Sequence, residues 1–265
     1  MPKEKTPVKK LAASAPGGIA VLHKAFDLLD HLQISEKAES LDALASATGI
    51  ARSTTHRILR NLIERGYVEK DASGRYHLGL KLLELGATVK TRQTLRDIAY
   101  PFMVELRDTF RETVNLGRLQ GDCVLYLETV ESEHPIRVTG SLGVLDPAHA
   151  TSIGKAILAF TPPENRPEYR HWKQLTPATA SDPRKFAREL EEVKQIGYAL
   201  DDQETMEGGC CIGVPIFREG RPVAGLSISG PVGRLTQDRR PSIAQALMRT
   251  SAEISKRIQL LGTSM

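Results

Sequence analysis

Between Ser40 and Leu78 the chain reads SLDALASATGIARSTTHRILRNLIERGYVEKDASGRYHL, and few folds accommodate that order of small, apolar, basic and turn residues. Ala45 and Gly49 are four apart: the small residue lets two helices cross closely, and the glycine permits a left-handed turn. Ser40 is placed to cap the first helix, Leu41 and Leu44 give it an apolar stripe, and Gly49 ends it. The second helix is expected over Ser53 to Arg65. At about 100° per residue, Thr55, Ile58, Leu59, Leu62 and Ile63 gather on one side, while Ser53, His56, Arg57, Arg60 and Asn61 turn away. Gly66 stops it, and two short runs, Tyr67–Lys70 and Arg75–Leu78, flank Asp71-Ala72-Ser73-Gly74 as a hairpin wing. Helix, turn, helix and wing together describe a module that reads double-stranded DNA. Its candidate contacts are Arg52, Ser53, Thr54, His56, Arg57 and Arg60 on the second helix and Arg75 on the wing. A solvated polar helix face explains the basic residues alone, but not their agreement with the turn, the stripe and the wing.

A chain of 265 residues has room for a second, larger domain. Net charge is only +4, and residues 1–78 hold 12 basic against 9 acidic side chains, so most of the excess accompanies the DNA module. Residues 1–17 are expected to form a mobile basic tail. The chain shows no apolar run long enough to span a bilayer and no signal-peptide core, which points to the cytoplasm and away from a membrane. Cys123, Cys210 and Cys211 are an odd number with two adjacent, which argues against a disulfide framework. No metal-ligand spacing and no catalytic triad or phosphate loop accompanies them, so no metal, no cofactor and no enzyme activity is expected.

A helix from Ile19 to Leu32 is expected to complete a three-helix core with Val21, Leu22, Ala25, Leu28, Leu29 and Leu32. Leu80 to Val89 reads as a linking helix whose apolar excess also suits dimerisation, and Leu95 to Arg111 as a longer helix broken near Pro101. Strand-like runs follow at Thr113–Leu119, Cys123–Val130 and Ile136–Thr139, then at Tyr198–Leu200, Cys211–Phe217 and Pro222–Ser229. Helices are expected at Ser152–Phe160, Arg184–Ile196 and Pro241–Leu261. The sum is an α+β domain with an antiparallel sheet.

Two candidate ligand positions emerge from this pattern. Ser227 and Ser229, two apart on a strand, put both hydroxyls on one face and Leu226 and Ile228 on the other; they suit ligand oxygens, or neighbouring backbone. Thr151-Ser152-Ile153-Gly154 opens an apolar helix whose first amides favour a carboxylate, or are simply capped by Thr151 or Ser152.

The strings STTHRILRNLIERGYV, HATSIGKAILA (His149–Ala159), IGVPIF after Cys211, and GLSISGP (Gly225–Pro231) followed by Arg234-Leu235 together resemble the isocitrate lyase regulator (IclR) family of bacterial transcription factors. The resemblance extends from Gly18 to Gly262. It implies a winged helix-turn-helix domain (18–79), a linker helix (80–93) and a GAF-like effector-binding domain (94–262). It also implies homodimers or dimers of dimers on a DNA operator, controlled by a small organic acid, carboxylic or aromatic. Matching the family's pocket gives Ser152, Ile153, Asp201, Cys211, Ser227 and Ser229 as effector-binding positions. Asp201 is then either an acceptor for a ligand hydroxyl or a hydrated surface acid, and Cys211 a small wall or weak donor rather than a nucleophile. Asp146 departs from the family pattern, which bears on ligand size and polarity.

Overall fold

The computed structural model describes residues 19–35, 37–89, 95–138, 142–169 and 172–262. The expected tail over 1–17, Thr139 and the end of the linking helix past Val89 lie outside them. The chain divides into two compact units, Met1–Arg92 and Gln93–Met265.

In the first unit, helices α1 (Ala20–Ile34), α2 (Leu41–Thr48) and α3 (Arg52–Glu64) are followed by strands β1 (Val68–Lys70) and β2 (Tyr76–Leu78) and helix α4 (Lys81–Val89). Ser40 caps α2 by accepting the amide of Ala43 at 3.2 Å, and Gly49 ends it with φ +68°, a conformation in which a Cβ is strained. Leu28, Leu32, Leu44, Ile50, Ile58, Leu59, Val68 and Tyr76 form one buried core. Each such side chain withdrawn from water contributes about 1.5–3 kcal/mol. The apolar stripe of α1 is not wholly spent on this core. Val21 and Leu22, expected inside it, are about half exposed, as are Ile19 and Phe26, because only the Leu28 and Leu32 end of the helix meets α2 and α3.

The wing is tied to the helices by backbone. Glu39 and Tyr76 exchange amide–carbonyl hydrogen bonds of 2.9 and 2.8 Å, so β2 pairs with the segment entering α2 as well as with β1.

The second unit contains α5 (Leu95–Phe110), β3 (Thr113–Gln120), β4 (Cys123–Val130), β5 (Leu145–Pro147), α6 (Ser152–Phe160), α7 (Pro183–Ile196), β6 (Ala199–Asp202), β7 (Gly209–Arg218), β8 (Arg221–Pro231) and α8 (Arg240–Gly262). Its antiparallel sheet has the order β5-β4-β3-β8-β7-β6. Strand alternation sends Val114, Leu116, Ile212, Val214, Leu226 and Ile228 into a core shared with Met103 of α5 and Ile243, Leu247 and Ile254 of α8. The opposite face receives α6 and α7, packed through Ile153, Ala156, Ile157, Phe186, Leu190 and Val193.

Two sequence expectations fail here. Ile136–Arg137 is not a strand: Ile136 is 76 % exposed and Arg137 folds back to Glu131 at 2.8 Å and to the His134 carbonyl. Its place beside β4 is taken by β5, whose Leu-Asp-Pro run shows no apolar alternation. Nor does Pro101 break its helix, since α5 runs through it. Pro101 lies on the exposed side, while Ala99, Met103 and Leu106, buried on the other, hold the turns before and after it together. Among the described residues no helix is long and apolar enough to cross a membrane.

Candidate functional site

The first unit presents its chemistry on α3. Thr55, Ile58 and Leu59 are buried, and the Thr55 hydroxyl donates back to the carbonyls of Ile50 and Ala51. That packing leaves Arg52, Ser53, His56, Arg57 and Arg60 exposed and Thr54 half-buried. An open groove of about 780 Å³ between α3 and the wing is lined by Leu41, Arg52, Ser53, His56, Lys70, Gly74 and Tyr76. The groove unites three of the sequence-derived positions and adds Lys70, whose ammonium lies 5.4 Å from the Tyr76 ring centroid. Lys70 escaped the sequence reading because alternation along a three-residue strand gives too little pattern to assign a face. Arg75 is placed elsewhere: it lines a second hollow with Lys37, Ala38, Glu39, Ser40 and Ala43, and its guanidinium reaches the Ala38 carbonyl at 3.4 Å.

The wing turn is shaped by Asp71, whose carboxylate accepts the Ser73 amide and hydroxyl and the Arg75 amide. These donors, the Ser73 hydroxyl foremost, hold its carboxyl below the ordinary range. At the groove's other end Arg52 pairs with Asp42 of α2 at 2.5 Å. Both partners are well exposed, so the pair adds little to stability; its effect is to hold an acid beside a cation that lines the groove. Asp42→Asn should therefore tighten binding to random duplex DNA and steepen its salt dependence by about one released ion. Titrations by fluorescence anisotropy at several salt concentrations measure this, and an unchanged slope would remove Arg52 from the contact set.

The second unit gathers polar groups on the α6 face of its sheet. One cross-strand row runs Asp201, Cys211, Ser229, Thr113, and the next runs Ala199, Gly213, Ser227, Asn115, Thr129. Asn115 joins the rows by donating to the Ser229 hydroxyl at 3.1 Å, and it accepts the Thr129 hydroxyl at 3.1 Å. Ser227 and Ser229 are buried, as are Asn115 and Thr113. Helix α6 begins directly above them. A Cβ on Gly213 would lie 2.6 Å from the Ser152 carbonyl carbon, and one on Gly225 2.9 Å from Ile153 Cγ2. Only glycine in the sheet lets the helix start sit so close. Thr151, not Ser152, supplies the cap, accepting the Gly154 amide at 3.0 Å.

The candidate positions Ser152, Ile153, Asp201, Cys211, Ser227 and Ser229 thus come together at one place. Asp201 is not a surface acid: it is 1 % exposed, and its carboxylate accepts the amides of Glu204 and Thr205 and the Thr205 hydroxyl. Burial raises its pKa against those donors. Burial, followed by the charge of Asp201, pushes the Cys211 thiol well above its ordinary value, and burial raises Cys210 to about 11. Both sulfurs stay protonated at neutral pH, which suits a weak donor rather than a nucleophile. His149 is packed edge-on against Tyr169 and Trp172 with Nε2 3.1 Å from the Lys173 carbonyl.

Asn115, Thr113, Thr129 and Tyr126 were missed by sequence reasoning. Tyr126 is hydrogen-bonded to Asp146, and burial, then the Asp146 charge, keeps its phenol un-ionised. Thr113 and Asn115 had a signal, since in TVNLG they alternate with buried Val114 and Leu116. Among the described residues no group of three or more His, Cys, Asp or Glu side chains is arranged to hold a metal ion.

A winged helix-turn-helix head and a separate unit whose antiparallel sheet carries a buried polar cluster define a DNA-binding transcriptional regulator. The family model for the IclR helix-turn-helix domain matches residues 21–72, and that for the bacterial transcriptional regulator IclR C-terminal region matches 87–256. The chain belongs to the IclR family. It is 34 % identical over 250 residues to the HTH-type transcriptional regulator BhcR of Paracoccus denitrificans, covering 92 % of this chain and 89 % of that one. Among solved structures, IclR of Thermotoga maritima is 34 % identical with a TM-score of 0.71, over 91 % of this chain and 100 % of that one. An IclR homolog from Microbacterium hydrocarbonoxydans complexed with 4-hydroxybenzoate shares the fold at 24 % identity, TM-score 0.77, over 89 % of this chain and 98 % of that one.

Proposed function

We propose that this regulator binds a DNA operator through α3 and the wing, and that a small organic acid held at the Cys211–Ser229 and Ser227–Asn115 rows sets how tightly it does so. The observation that carries this reading is the convergence of buried hydroxyl and amide groups with the half-buried Cys211 thiol beneath the first turn of α6, where helix-start amides favour a carboxylate. The fold shared with a homolog that holds 4-hydroxybenzoate supports it. Residues 18–79 serve as the DNA-binding domain, 80–93 as the linker and 94–262 as the effector domain, in a cytoplasmic protein without catalytic function. Homodimerisation fits the exposed apolar residues of the first unit: Ile19, Leu22 and Phe26 on α1, and Leu80 and Leu83 at the start of α4. Two-fold pairing gives one short recognition helix a palindromic target.

Ligand control requires different affinity for two arrangements of the protein, a coupling of about 1–3 kcal/mol. Calorimetry with a panel of keto, hydroxy and aromatic acids, 4-hydroxybenzoate among them, tests the assignment. Binding by the native protein should fall at least about tenfold in Ser227→Ala and in Ser229→Ala, each of which strips a hydroxyl from the site. Undiminished binding in both variants would place the ligand elsewhere.

A further inference from the structure

Lys155 lies one turn into α6 and is fully buried, and among the described residues it is the only charged one of the largest fully buried side chains. Its ammonium donates to Glu189 of α7 at 2.6 Å and to Glu204 at 2.5 Å. Glu204 belongs to the turn between β6 and β7, and that turn forms one wall of the proposed effector site through Asp201. The Glu204 amide donates to the Asp201 carboxylate at 2.8 Å, and the Glu204 carbonyl accepts the Thr179 hydroxyl at 2.6 Å. Thr176 secures the neighbouring Gln203 carbonyl at 2.7 Å. One ammonium therefore fixes the helix whose first turn overlies Gly213 and the turn that occupies the carboxylate of Asp201.

We propose that Lys155 is the positioning residue of the effector site, holding the 203–209 turn through Glu204 so that Asp201 stays aligned with the Cys211–Ser229 row. The inference rests on the effector reading above and adds a proton to it. Besides Lys155, the charged groups that face Glu204 are Glu189 on α7 and Asp201 on β6; the 176–179 segment presents only hydroxyls to its backbone.

Burial raises the Glu204 carboxyl from the ordinary 4.5 to about 7, against the pull of Lys155 and with the help of Glu189 and Asp201. Burial also works against the Lys155 ammonium, but the two glutamates outweigh it and hold its pKa above the ordinary value. An acid whose pKa is raised in the closed arrangement takes up a proton on closing. The closed turn is thus favoured at low pH and loses stability as pH rises from about 4.5 through about 7. An anionic ligand arriving beside Asp201 strengthens the same tendency, so it takes up a proton as it binds and binds more weakly above pH 7.

The test begins without any ligand. Amide hydrogen exchange of the 203–209 turn, corrected for intrinsic rates, is followed from about pH 5 to pH 8, with Leu226 and Ile228 as core controls. In the native protein, opening of the turn should rise by about tenfold or more over that range. In Glu204→Gln most of that rise should be lost, leaving only the part that titration of Asp201 contributes. In Lys155→Met the rise should move to higher pH, because Glu204 has lost the cation that favours its ionised form. A flat native profile, or an unchanged profile in Glu204→Gln, would overturn the assignment. Glu204→Gln changes one oxygen for an amide and decides the matter even if Lys155→Met fails to fold. Calorimetry of the acid panel in two buffers of different ionisation enthalpy then reads proton uptake. A panel acid that binds without proton uptake overturns the linkage, whereas failure of every panel acid to bind counts against the effector reading and leaves the exchange profile to judge Lys155.

Discussion

Arg57→Ala combined with Arg60→Ala should lower operator affinity by at least about 100-fold and erase the preference for operator over random DNA, since each bidentate guanidinium contact carries about 1–3 kcal/mol of discrimination. Both side chains lie on the exposed face of α3, away from buried Thr55, Ile58 and Leu59. The loss therefore cannot be attributed to unfolding, and alanine keeps the helix. In a two-fold dimer each substitution is present twice. Anisotropy titrations across a range of salt separate the roles of the two arginines. A contact to a base edge costs selectivity at constant salt slope, whereas a contact to phosphate weakens all sequences and lowers the slope by about one ion. Retained operator preference in the double variant would show that α3 is not the reading helix.

The second large effect is expected at a residue without a side chain. Gly213→Ala introduces a methyl group 2.6 Å from the carbonyl carbon of Ser152 and 2.8 Å from its oxygen. Both sides of that contact are backbone, so relief requires α6 to shift rather than a rotamer to turn. Overpacking of this kind costs about 1–3 kcal/mol or more. In a domain of this size it lowers the melting temperature by about 2–10 °C. The single tryptophan of the chain, Trp172, sits in the second unit against His149 and Phe186. A melt followed by its fluorescence therefore reports the effector domain alone. The variant should keep operator binding while its response to any acid ligand disappears. An unaltered response would mean that the approach of α6 to the sheet does not build the site.

Much of this architecture was legible in the chain because its signals are local. Ser40 and Gly49 frame a helix that the structure places at Leu41–Thr48, and the alternation around Ser227 and Ser229 survives as one hydroxyl face and one core face. The resemblance to IclR proteins gathered Ser152, Asp201, Cys211 and the two serines, which sit on four separate elements, before any pairing was known. What stayed hidden depends on partners distant in sequence. Asn115 joins the polar cluster because β3 pairs with β8, 114 residues from Ser229. Glu204 matters because Lys155 is buried beneath it, and a lysine in an apolar helix gives no local sign of its partner. β5 stayed hidden for a different reason: it is three residues long and all three are half-buried, so no alternation of apolar and polar side chains marks it. Lys70 and Arg75 line different hollows because a hairpin's faces follow its turn, which Asp71 fixes through three local hydrogen bonds.

The β3–β8 pairing also sets an order of events during synthesis. Thr113 must wait for Ser229 before the middle of the six-stranded sheet can close, and such long-range pairing is slow to form. The helix-turn-helix head needs nothing beyond the first unit to bury Leu28, Leu44 and Leu59. A nascent chain released from the ribosome before residue 221 would carry every side chain of the reading head and lack β8 altogether. Such a fragment lacks Ser227 and Ser229, so on the proposed assignment translation itself has to run nearly to completion before the reading head is accountable to its signal.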